Sequence, residues 1–257
     1  MNVIRSRHEI ITPLPRAAGE ALSGALKLFP VVAVIGARQT GKSTLVQSHP
    51  ALTGMTYLTL DDAELRDQAR SDPSSLLARA DALVLDEVQR APDLLLAVKR
   101  AVDADRPRRP GRFVLTGSAN LLLMERVSES LAGRALYLKL WPLTRRERLG
   151  QARPGIWSEL LAAPVSRWES LVRSPAVPAE DWREAAVRGG LPVPAHALSR
   201  QADRSLWFDS YLETYLERDL QTLARIEDLG DFRRLMRGAA LRLGVVVNQA
   251  DLSRDLG

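Results

Sequence analysis

Residues 36–43 read Gly-Ala-Arg-Gln-Thr-Gly-Lys-Ser, and this stretch is the strongest indication of the fold in the sequence. It matches the phosphate-loop pattern Gly-x-x-x-x-Gly-Lys-[Ser/Thr], in which backbone N–H groups of a glycine-rich loop surround phosphate oxygens. The apolar, mostly β-branched run at residues 31–35 comes directly before it, and residues 42–48 can form a helix after it. This order of strand, loop and helix is the context that the pattern requires, and it predicts a nucleotide-binding site.

Each part of the loop has a predicted task. Gly36 and Gly41 allow the backbone to curl, and the following helix adds partial positive charge at its N-terminus. Lys42 can reach the β- and γ-phosphates of a nucleotide, and the Ser43 hydroxyl can ligate Mg²⁺. The expected nucleotide-binding residues are Gly36, Ala37, Arg38, Gln39, Thr40, Gly41, Lys42, Ser43 and Thr44.

The composition excludes several classes of protein. The 257 residues suffice for one large domain or two smaller ones, and they include no cysteine for a disulfide or a thiolate metal site. Because no apolar stretch reaches about 18 residues and the basic N-terminus does not resemble a signal peptide, we expect a soluble, cytoplasmic protein without membrane contact. The net charge of +5 permits an acidic partner such as nucleic acid without establishing one.

Strand and helix patterns alternate through the first 148 residues. Five strands are predicted from apolar runs at residues 31–35, 56–60, 82–85, 113–116 and 136–140. Helical patterns between them predict an α/β domain with a parallel sheet covered on both faces, and the last run suits a partly exposed edge strand. We assign residues 1–148 to this domain, 149–180 to a linker with short helices and 181–257 to a mainly α-helical domain.

Two carboxylates follow the third predicted strand. An acidic residue at the tip of a buried strand is costly unless something uses it, so we expect Asp86 beside the Mg²⁺ held by Ser43. Glu87 is expected to orient or deprotonate the water that attacks the γ-phosphate. The alternative is that both residues merely cap a helix where the strand ends. The chain between Lys42 and Asp86 has room for an intervening strand, so the two strands need not be consecutive.

Polar residues also follow the fourth predicted strand. Thr116, Ser118 or Asn120 could contact the γ-phosphate or the attacking water, because ligands of open α/β sheets bind at the carboxyl ends of the strands. The alternative is that Ser118 or Asn120 only caps the next helix.

Arg134 follows a glycine turn just before the last predicted strand. An arginine held there could supply positive charge to the transition state of phosphoryl transfer, either within its own chain or from a neighbouring subunit. The alternative is an ordinary surface arginine.

Together, these motifs resemble a family of prokaryotic AAA-type P-loop ATPases. The motifs that carry the resemblance are residues 36–44, Leu85-Asp-Glu-Val-Gln89, Leu115-Thr-Gly-Ser118 and Ser130-Leu-Ala-Gly-Arg134. Residues 188–192, Arg-Gly-Gly-Leu-Pro, and residues 211–220, Tyr-Leu-Glu-Thr-Tyr-Leu-Glu-Arg-Asp-Leu, resemble the start of the C-terminal domain of unknown function in that family. The resemblance covers nearly the whole chain.

The resemblance implies a three-layer P-loop fold that binds ATP and Mg²⁺ and hydrolyses ATP. The roles that it assigns are phosphate and metal binding by Lys42 and Ser43, metal binding by Asp86, catalysis by Glu87, γ-phosphate sensing by Ser118 and an arginine finger at Arg134. Arg218 and Asp219 are interpreted as a charged helix face only.

The leading functional interpretation is an ATPase that drives or gates a conformational change. The alternative is a nucleotide-gated DNA-binding or regulatory module in which hydrolysis is incidental. A phosphotransferase is disfavoured by Glu87, and a GTPase by the lack of an Asn-Lys-x-Asp stretch.

Residues 247–257 resemble the start of a helix-turn-helix in that family. The sequence ends at Gly257, before the second helix that would enter a DNA groove, which disfavours DNA binding by this chain. Self-association into a homo-oligomer, or a protein or nucleic-acid partner, stays open.

Overall fold

The computed structural model describes residues 13–118, 131–152, 155–173, 179–216 and 229–256. The chain divides into two compact units, Met1–Arg204 and Ser205–Gly257. The interpretations of Asn120, Arg218 and Asp219 lie outside the described residues.

A five-stranded parallel sheet forms the centre of the first unit. Its strands are β1 (Val31–Gly36), β2 (Thr56–Thr59), β3 (Leu83–Asp86), β4 (Phe113–Ser118) and β5 (Ala135–Lys139). Their order across the sheet is β2-β3-β4-β1-β5, and every neighbouring pair is parallel. The parallel α/β fold predicted from the sequence is confirmed, including the edge position of β5 and the intervening strand, β4, between β1 and β3.

Helices cover both faces of this sheet and continue beyond it. The helices of the first unit begin with α1 (Ala18–Leu26), α2 (Lys42–Ser48), α3 (Ala63–Ser71), α4 (Pro73–Leu77) and α5 (Leu94–Ala104), followed by α6 (Arg145–Arg148), α7 (Ile156–Ala162), α8 (Trp168–Arg173) and α9 (Trp182–Arg188). The chain breaks between α3 and α4: the Asp72 carboxylate accepts a hydrogen bond from Ser75 N, and Pro73 begins α4.

Two apolar cores lie on the two faces of the sheet because alternate strand residues point to opposite sides. One core joins alternate residues of β1, β3 and β4 to α3, α4 and α5, and it includes Ala33, Ile35, Leu85, Leu115, Leu94 and Val98. The other joins the intervening residues to α1 and α2, and it includes Val32, Val34, Val84, Val114, Leu22 and Leu45. Each fully buried valine or leucine contributes about 1.5–3 kcal/mol, so both cores hold the carboxyl edge of the sheet rigidly in place.

The described residues beyond residue 200 are mainly helical. It contains α10 (Gln201–Tyr211), a π-type turn at Leu212–Leu216, α11 (Leu229–Ala240) and α12 (Gln249–Leu256). The π-type turn directly follows α10, and residues 217–228 lie outside the described residues. Asn248 Oδ1 accepts hydrogen bonds from Ala250 N and Asp251 N and thereby caps the start of α12. Within the described ranges, no helix has the length and apolar composition to cross a bilayer.

Candidate functional site

The loop between β1 and α2 lies at the carboxyl edge of the sheet. Gly41 has a φ of +91° and Gln39 a φ of +59°, so the chain takes two left-handed turns before α2 begins. A Cβ on Gly36 would lie 2.3 Å from the carbonyl oxygen of Leu140, where β5 has just ended. Both glycines are therefore required by the backbone itself, one for its dihedral angle and the other for its close packing.

The side chains of the loop fold back on its own backbone. Lys42 Nζ and Thr40 Oγ1 both donate to the carbonyl oxygen of Ala37, each at 2.9 Å. Lys42 is only 5% exposed, whereas Arg38 is half-buried and Thr44 is exposed in the first turn of α2. An anion bound in the loop would meet the Lys42 ammonium and the positive end of α2 together.

Asp86, at the end of β3, lies directly beside the start of α2. Ser43 Oγ donates to its carboxylate, 3.0 Å from Oδ1 and 3.1 Å from Oδ2. Tyr57 OH donates to Oδ2 at 2.6 Å, and the Thr116 hydroxyl donates to Oδ1. Burial, together with the bond to the Asp86 carboxylate, raises the pKa of Tyr57 above its usual range. Three hydroxyl groups thus surround a carboxylate that is 4% exposed.

Ser43 and Asp86 form a donor set that suits Mg²⁺. Hydroxyl and carboxylate oxygens are hard ligands, and Mg²⁺ is commonly held by one or two protein oxygens together with water and substrate phosphates. In the described part of the chain, no group of three or more histidine, aspartate or glutamate side chains could hold a metal ion. Ser43 and Asp86, the two residues that the sequence singled out for the metal, lie together in space.

Glu87 follows Asp86 in a left-handed conformation, with a φ of +58°. For a residue with a side chain this backbone costs on the order of 1–3 kcal/mol. Its N–H donates to Thr116 Oγ1 at 3.1 Å, and its carboxylate accepts a hydrogen bond from Gln89 Nε2. Gln89 Oε1 in turn accepts from Ser118 N at 3.4 Å. Glu87 and Ser118 are thus connected through Gln89, a residue to which the sequence analysis gave no role.

Arg134 lies at the opposite edge of the sheet from the loop. Its guanidinium donates to both carboxylate oxygens of Asp103, Nε to Oδ1 and Nη2 to Oδ2, each at 2.7 Å, and these bonds lower the pKa of Asp103. The carbonyl of Arg134 accepts from Val31 N at the start of β1. From there to Gly36, β1 rises about 17 Å at about 3.3 Å per residue. Arg134 therefore does not lie near the loop of its own chain, so that action on a neighbouring subunit and an ordinary surface arginine are the two alternatives left.

A buried arginine that the sequence analysis did not single out holds the loop from outside. Arg16 Nη1 donates to the Thr40 carbonyl at 2.8 Å, Nη2 to the Trp141 carbonyl at 2.6 Å and Nε to Glu147 Oε1 at 3.0 Å. The side chains of Arg16 and Glu147 are 6% and 4% exposed. The guanidinium thereby joins the segment before α1, the phosphate loop, the chain after β5 and α6.

Glu147 is fixed by the start of α6. Its Oε2 accepts from Thr144 N at 2.7 Å and its Oε1 from Ala17 N at 2.8 Å. Burial alone would raise the pKa of Glu147, but these N–H groups and the Arg16 guanidinium overcome it and hold that pKa below its usual value. The Thr144-x-x-Glu147 spacing is a capping box, which is the one sequence signal that could have drawn attention to this carboxylate.

The motif at residues 188–192 packs close to the same place. Leu143 N donates to the Gly190 carbonyl at 2.6 Å, and a Cβ on Gly190 would lie 2.8 Å from the Leu143 carbonyl oxygen. A Cβ on Gly41 would lie 3.7 Å from Pro192 Cγ. This segment therefore forms part of the surroundings of the phosphate loop.

Several solved structures are similar to this chain at low identity. A Walker-type ATPase of Pyrococcus abyssi is 14% identical, with a TM-score of 0.48, over 93% of this chain and 81% of its own. RuvB of Thermotoga maritima is 20% identical, with a TM-score of 0.36, over 93% and 78%. The Orc1 protein of Aeropyrum pernix, solved in complex with DNA, is 14% identical, with a TM-score of 0.39, over 98% and 79%.

Two mycobacterial proteins are similar in sequence. The uncharacterized proteins Rv2008c of Mycobacterium tuberculosis and Mb2031c of Mycobacterium bovis are each 32% identical over 264 aligned positions. The alignments cover 98% of this chain and 52% of each relative. The chain thus spans about half the length of the curated relatives that it matches.

Two family models match the chain in succession. Residues 28–149 match the AAA domain, and residues 179–257 match a domain of unknown function, DUF8612. The first range contains the phosphate loop and the whole sheet, and the second begins just before α9. The resemblance drawn from the sequence motifs is confirmed. The chain therefore carries an AAA domain, which holds the phosphate loop and the sheet, followed by a C-terminal domain of unknown function.

Proposed function

We propose that this chain binds ATP with Mg²⁺ at residues 36–44 and hydrolyses the β–γ phosphoanhydride bond, acting as a conformational switch or motor. The observation that supports this most strongly is the 3.0 Å contact between Ser43 Oγ and Asp86 Oδ1 at the edge of the sheet where the loop lies. A hydroxyl at the start of α2 and a carboxylate at the end of β3 come together although 43 positions separate them in the chain.

Binding would depend on backbone and charge. The N–H groups of the loop and the N-terminus of α2 would contact the phosphate oxygens, and the Lys42 ammonium would leave the Ala37 carbonyl for the β- and γ-phosphates. Ser43 and Asp86 would hold Mg²⁺, which would supply positive charge to neutralise the charge that develops on the phosphates. Tyr57 and Thr116 would keep the Asp86 carboxylate in one orientation.

Hydrolysis would depend on Glu87. Its carboxylate, held by Gln89, would orient the attacking water and accept its proton, a contribution of about 10²–10⁴ in rate. Ser118, which follows Thr116 on β4, would contact the γ-phosphate and report its loss through Gln89. The position of Glu87 supports hydrolysis over phosphate transfer to a second substrate, since a general base next to the metal-binding carboxylate of Asp86 serves to activate water.

Arg134 would act on the site of a neighbouring copy. Its place at the amino edge of the sheet, away from the loop of its own chain, supports a homo-oligomer in which one subunit completes the site of the next. The guanidinium would then exchange Asp103 for the γ-phosphate of the neighbour. ATP turnover per molecule should rise with protein concentration in the parent and not in Arg134→Ala.

The test of nucleotide binding compares two lysines. Lys42→Ala should abolish Mg²⁺-dependent ATP binding in calorimetry and the release of free phosphate, because it removes the ammonium nearest the phosphates. Lys27→Ala is the matched control, since Lys27 is exposed at the end of α1. The proposal fails if the parent binds no ATP or if the two variants behave alike. Recovery of a phosphorylated acceptor in place of free phosphate would indicate a phosphotransferase.

A nucleotide-gated DNA-binding module is the second candidate, supported by the net charge of +5. Three arginines of the second unit are paired with nearby acids, however: Arg234 with Asp231, Arg242 with Asp255 and Arg254 with Asp251. These pairs reduce the positive field available to a phosphate backbone. Binding to duplex DNA that weakens steeply with salt would favour this candidate, and no binding at low salt would exclude it for this chain.

A further inference from the structure

Arg16 contacts the phosphate loop at a single peptide group, the one between Thr40 and Gly41. Its Nη1 lies 2.8 Å from the Thr40 carbonyl oxygen. In a trans peptide the C=O and N–H bonds point in opposite directions. The contact therefore directs the Gly41 N–H away from Arg16. Within the described residues, the Gly41 N–H donates no hydrogen bond, and it is therefore available to a bound anion.

The guanidinium has little freedom to move. Each of its three nitrogens donates to a different acceptor: the Thr40 carbonyl, the Trp141 carbonyl and the Glu147 carboxylate. Glu147 is itself fixed by N–H groups of Ala17 and Thr144. A buried arginine with a buried counter-ion and every nitrogen engaged is a rigid clamp, because moving it would leave unpaired charges away from water.

The clamp matters for anion binding because the backbone of Gly41 is otherwise free to change its conformation. Gly41 is in a left-handed conformation that glycine can leave easily, because it has no Cβ to restrict its backbone. Without Arg16 the Thr40–Gly41 peptide could rotate and turn its carbonyl, instead of its N–H, toward the phosphates. A carbonyl oxygen there would repel the anion that the N–H attracts.

We propose that Arg16 is a positioning residue for nucleotide binding: it fixes the Thr40–Gly41 peptide so that the Gly41 N–H is ready for a phosphate oxygen. Glu147 assists by holding Arg16 in place. This inference rests on the proposed function, because it concerns ATP bound in the same loop. It adds a binding determinant that comes from before α1 and from α6, outside the loop sequence itself.

The clamp should affect affinity more than rate. The Gly41 N–H would contact phosphate both before and during hydrolysis, so its loss weakens binding of the ground state and the transition state alike. Loss of a hydrogen bond from an N–H to a charged phosphate oxygen corresponds to a change in Kd of about tenfold to a hundredfold. A purely structural role would instead lower the melting temperature and leave the Kd of the folded protein unchanged.

The experiment measures the Kd of Mg²⁺ and a non-hydrolysable ATP analogue by calorimetry, with the melting temperature of each variant. Arg16→Lys keeps the charge but loses the planar fork, and its Kd should rise about tenfold or more. Arg112→Lys is the matched control. Arg112 donates to the Ala101 carbonyl at 2.6 Å and pairs with Asp105 at 2.9 Å, just before β4 at the other edge of the sheet. It should lose thermal stability with Kd unchanged.

The possible outcomes separate the two proposals. A parent that binds no ATP analogue overturns the proposed function and this inference with it. A parent that binds, with folded Arg16→Lys of equal Kd, overturns only the clamp. If Arg16→Lys does not fold, Glu147→Gln decides, because it removes the counter-ion and leaves Arg16 present: a Kd raised about threefold or more supports the clamp, and an unchanged Kd overturns it. For folded Arg16→Lys and Glu147→Gln, KM should rise with kcat little changed.

Discussion

Replacing Gly36 by alanine should distort the phosphate loop, and the free-energy cost can be estimated from the distances in the structure. The new Cβ would lie 2.3 Å from the Leu140 carbonyl oxygen and 3.3 Å from Thr40 Oγ1. The Leu140 atom belongs to the backbone of a segment whose N–H donates to the Ile35 carbonyl at 2.7 Å, so it cannot yield as a flexible side chain would. Forcing a methyl group into such a contact costs about 1–3 kcal/mol.

This cost predicts two measurements on Gly36→Ala. Thermal unfolding should shift downward by about 2–4 °C per kcal/mol for a domain of this size. The Kd for Mg²⁺ and ATP should rise about tenfold or more, because the loop must move away from β5 to admit the methyl group. Calorimetric unfolding and titration with a non-hydrolysable ATP analogue provide the two values on the same sample.

Gly54→Ala is the matched control for this substitution. No heavy atom lies within 4 Å of the Cβ that would be added at Gly54, and its φ is not in the left-handed range. Alanine there should leave the Kd for ATP unchanged and alter stability by less than about 1 kcal/mol. The reasoning is refuted if Gly36→Ala melts and binds ATP as Gly54→Ala does.

Three further predictions concern the surroundings of the loop. Tyr57→Phe removes a hydroxyl bound to Asp86 and should raise the Mg²⁺ concentration for half-maximal hydrolysis about tenfold; an unchanged Mg²⁺ titration would count against this role. The pKa of Glu147 is lowered on folding, so its contribution to stability is present above the unfolded value of 4.5 and lost as pH falls through the folded value. In thermal unfolding, Glu147→Gln should therefore lose less stability than the parent over that acidic range, and parallel curves would contradict this. Arg134→Ala should leave the Kd for ATP unchanged while abolishing the rise of turnover with protein concentration; a weakened Kd in dilute solution would contradict action on a neighbour.

The sheet could be predicted because its strands have a clear sequence pattern. Residues 31–35 and 113–116 are apolar at almost every position, as strands buried on both faces must be, and Asp86 marks where β3 ends. The meeting of Ser43 and Asp86 followed from this, since the carboxyl ends of parallel strands share one edge.

The hydroxyl groups around Asp86 could not be assigned in the same way. In the pairing of β2 with β3, Tyr57 lies opposite Val84, two positions before Asp86, and its hydroxyl reaches the Asp86 carboxylate from there. The sequence does not specify this register. Gln89 contacts Glu87 only because the backbone turns left-handed at Glu87.

The clamp on the loop was harder still to foresee. Arg16 and Glu147 are 131 positions apart, and Glu147 stands among arginines in a stretch that the charge pattern alone presents as a basic loop. The place of Arg134, by contrast, could have been deduced. In a parallel sheet a residue that precedes a strand lies at the amino edge, away from a loop that follows one.

The central claim is that Glu87 turns nucleotide binding into hydrolysis, and its most direct test is phosphate release from saturating Mg²⁺ and ATP by the parent and Glu87→Gln. Glu64→Gln, an exposed glutamate in the first turn of α3, serves as the control. We predict that Glu87→Gln binds ATP with a Kd within about twofold of the parent and releases phosphate about 10² times more slowly or worse, while Glu64→Gln matches the parent. Phosphate release by Glu87→Gln at the parent rate, or a parent that binds ATP without releasing phosphate, would contradict the account.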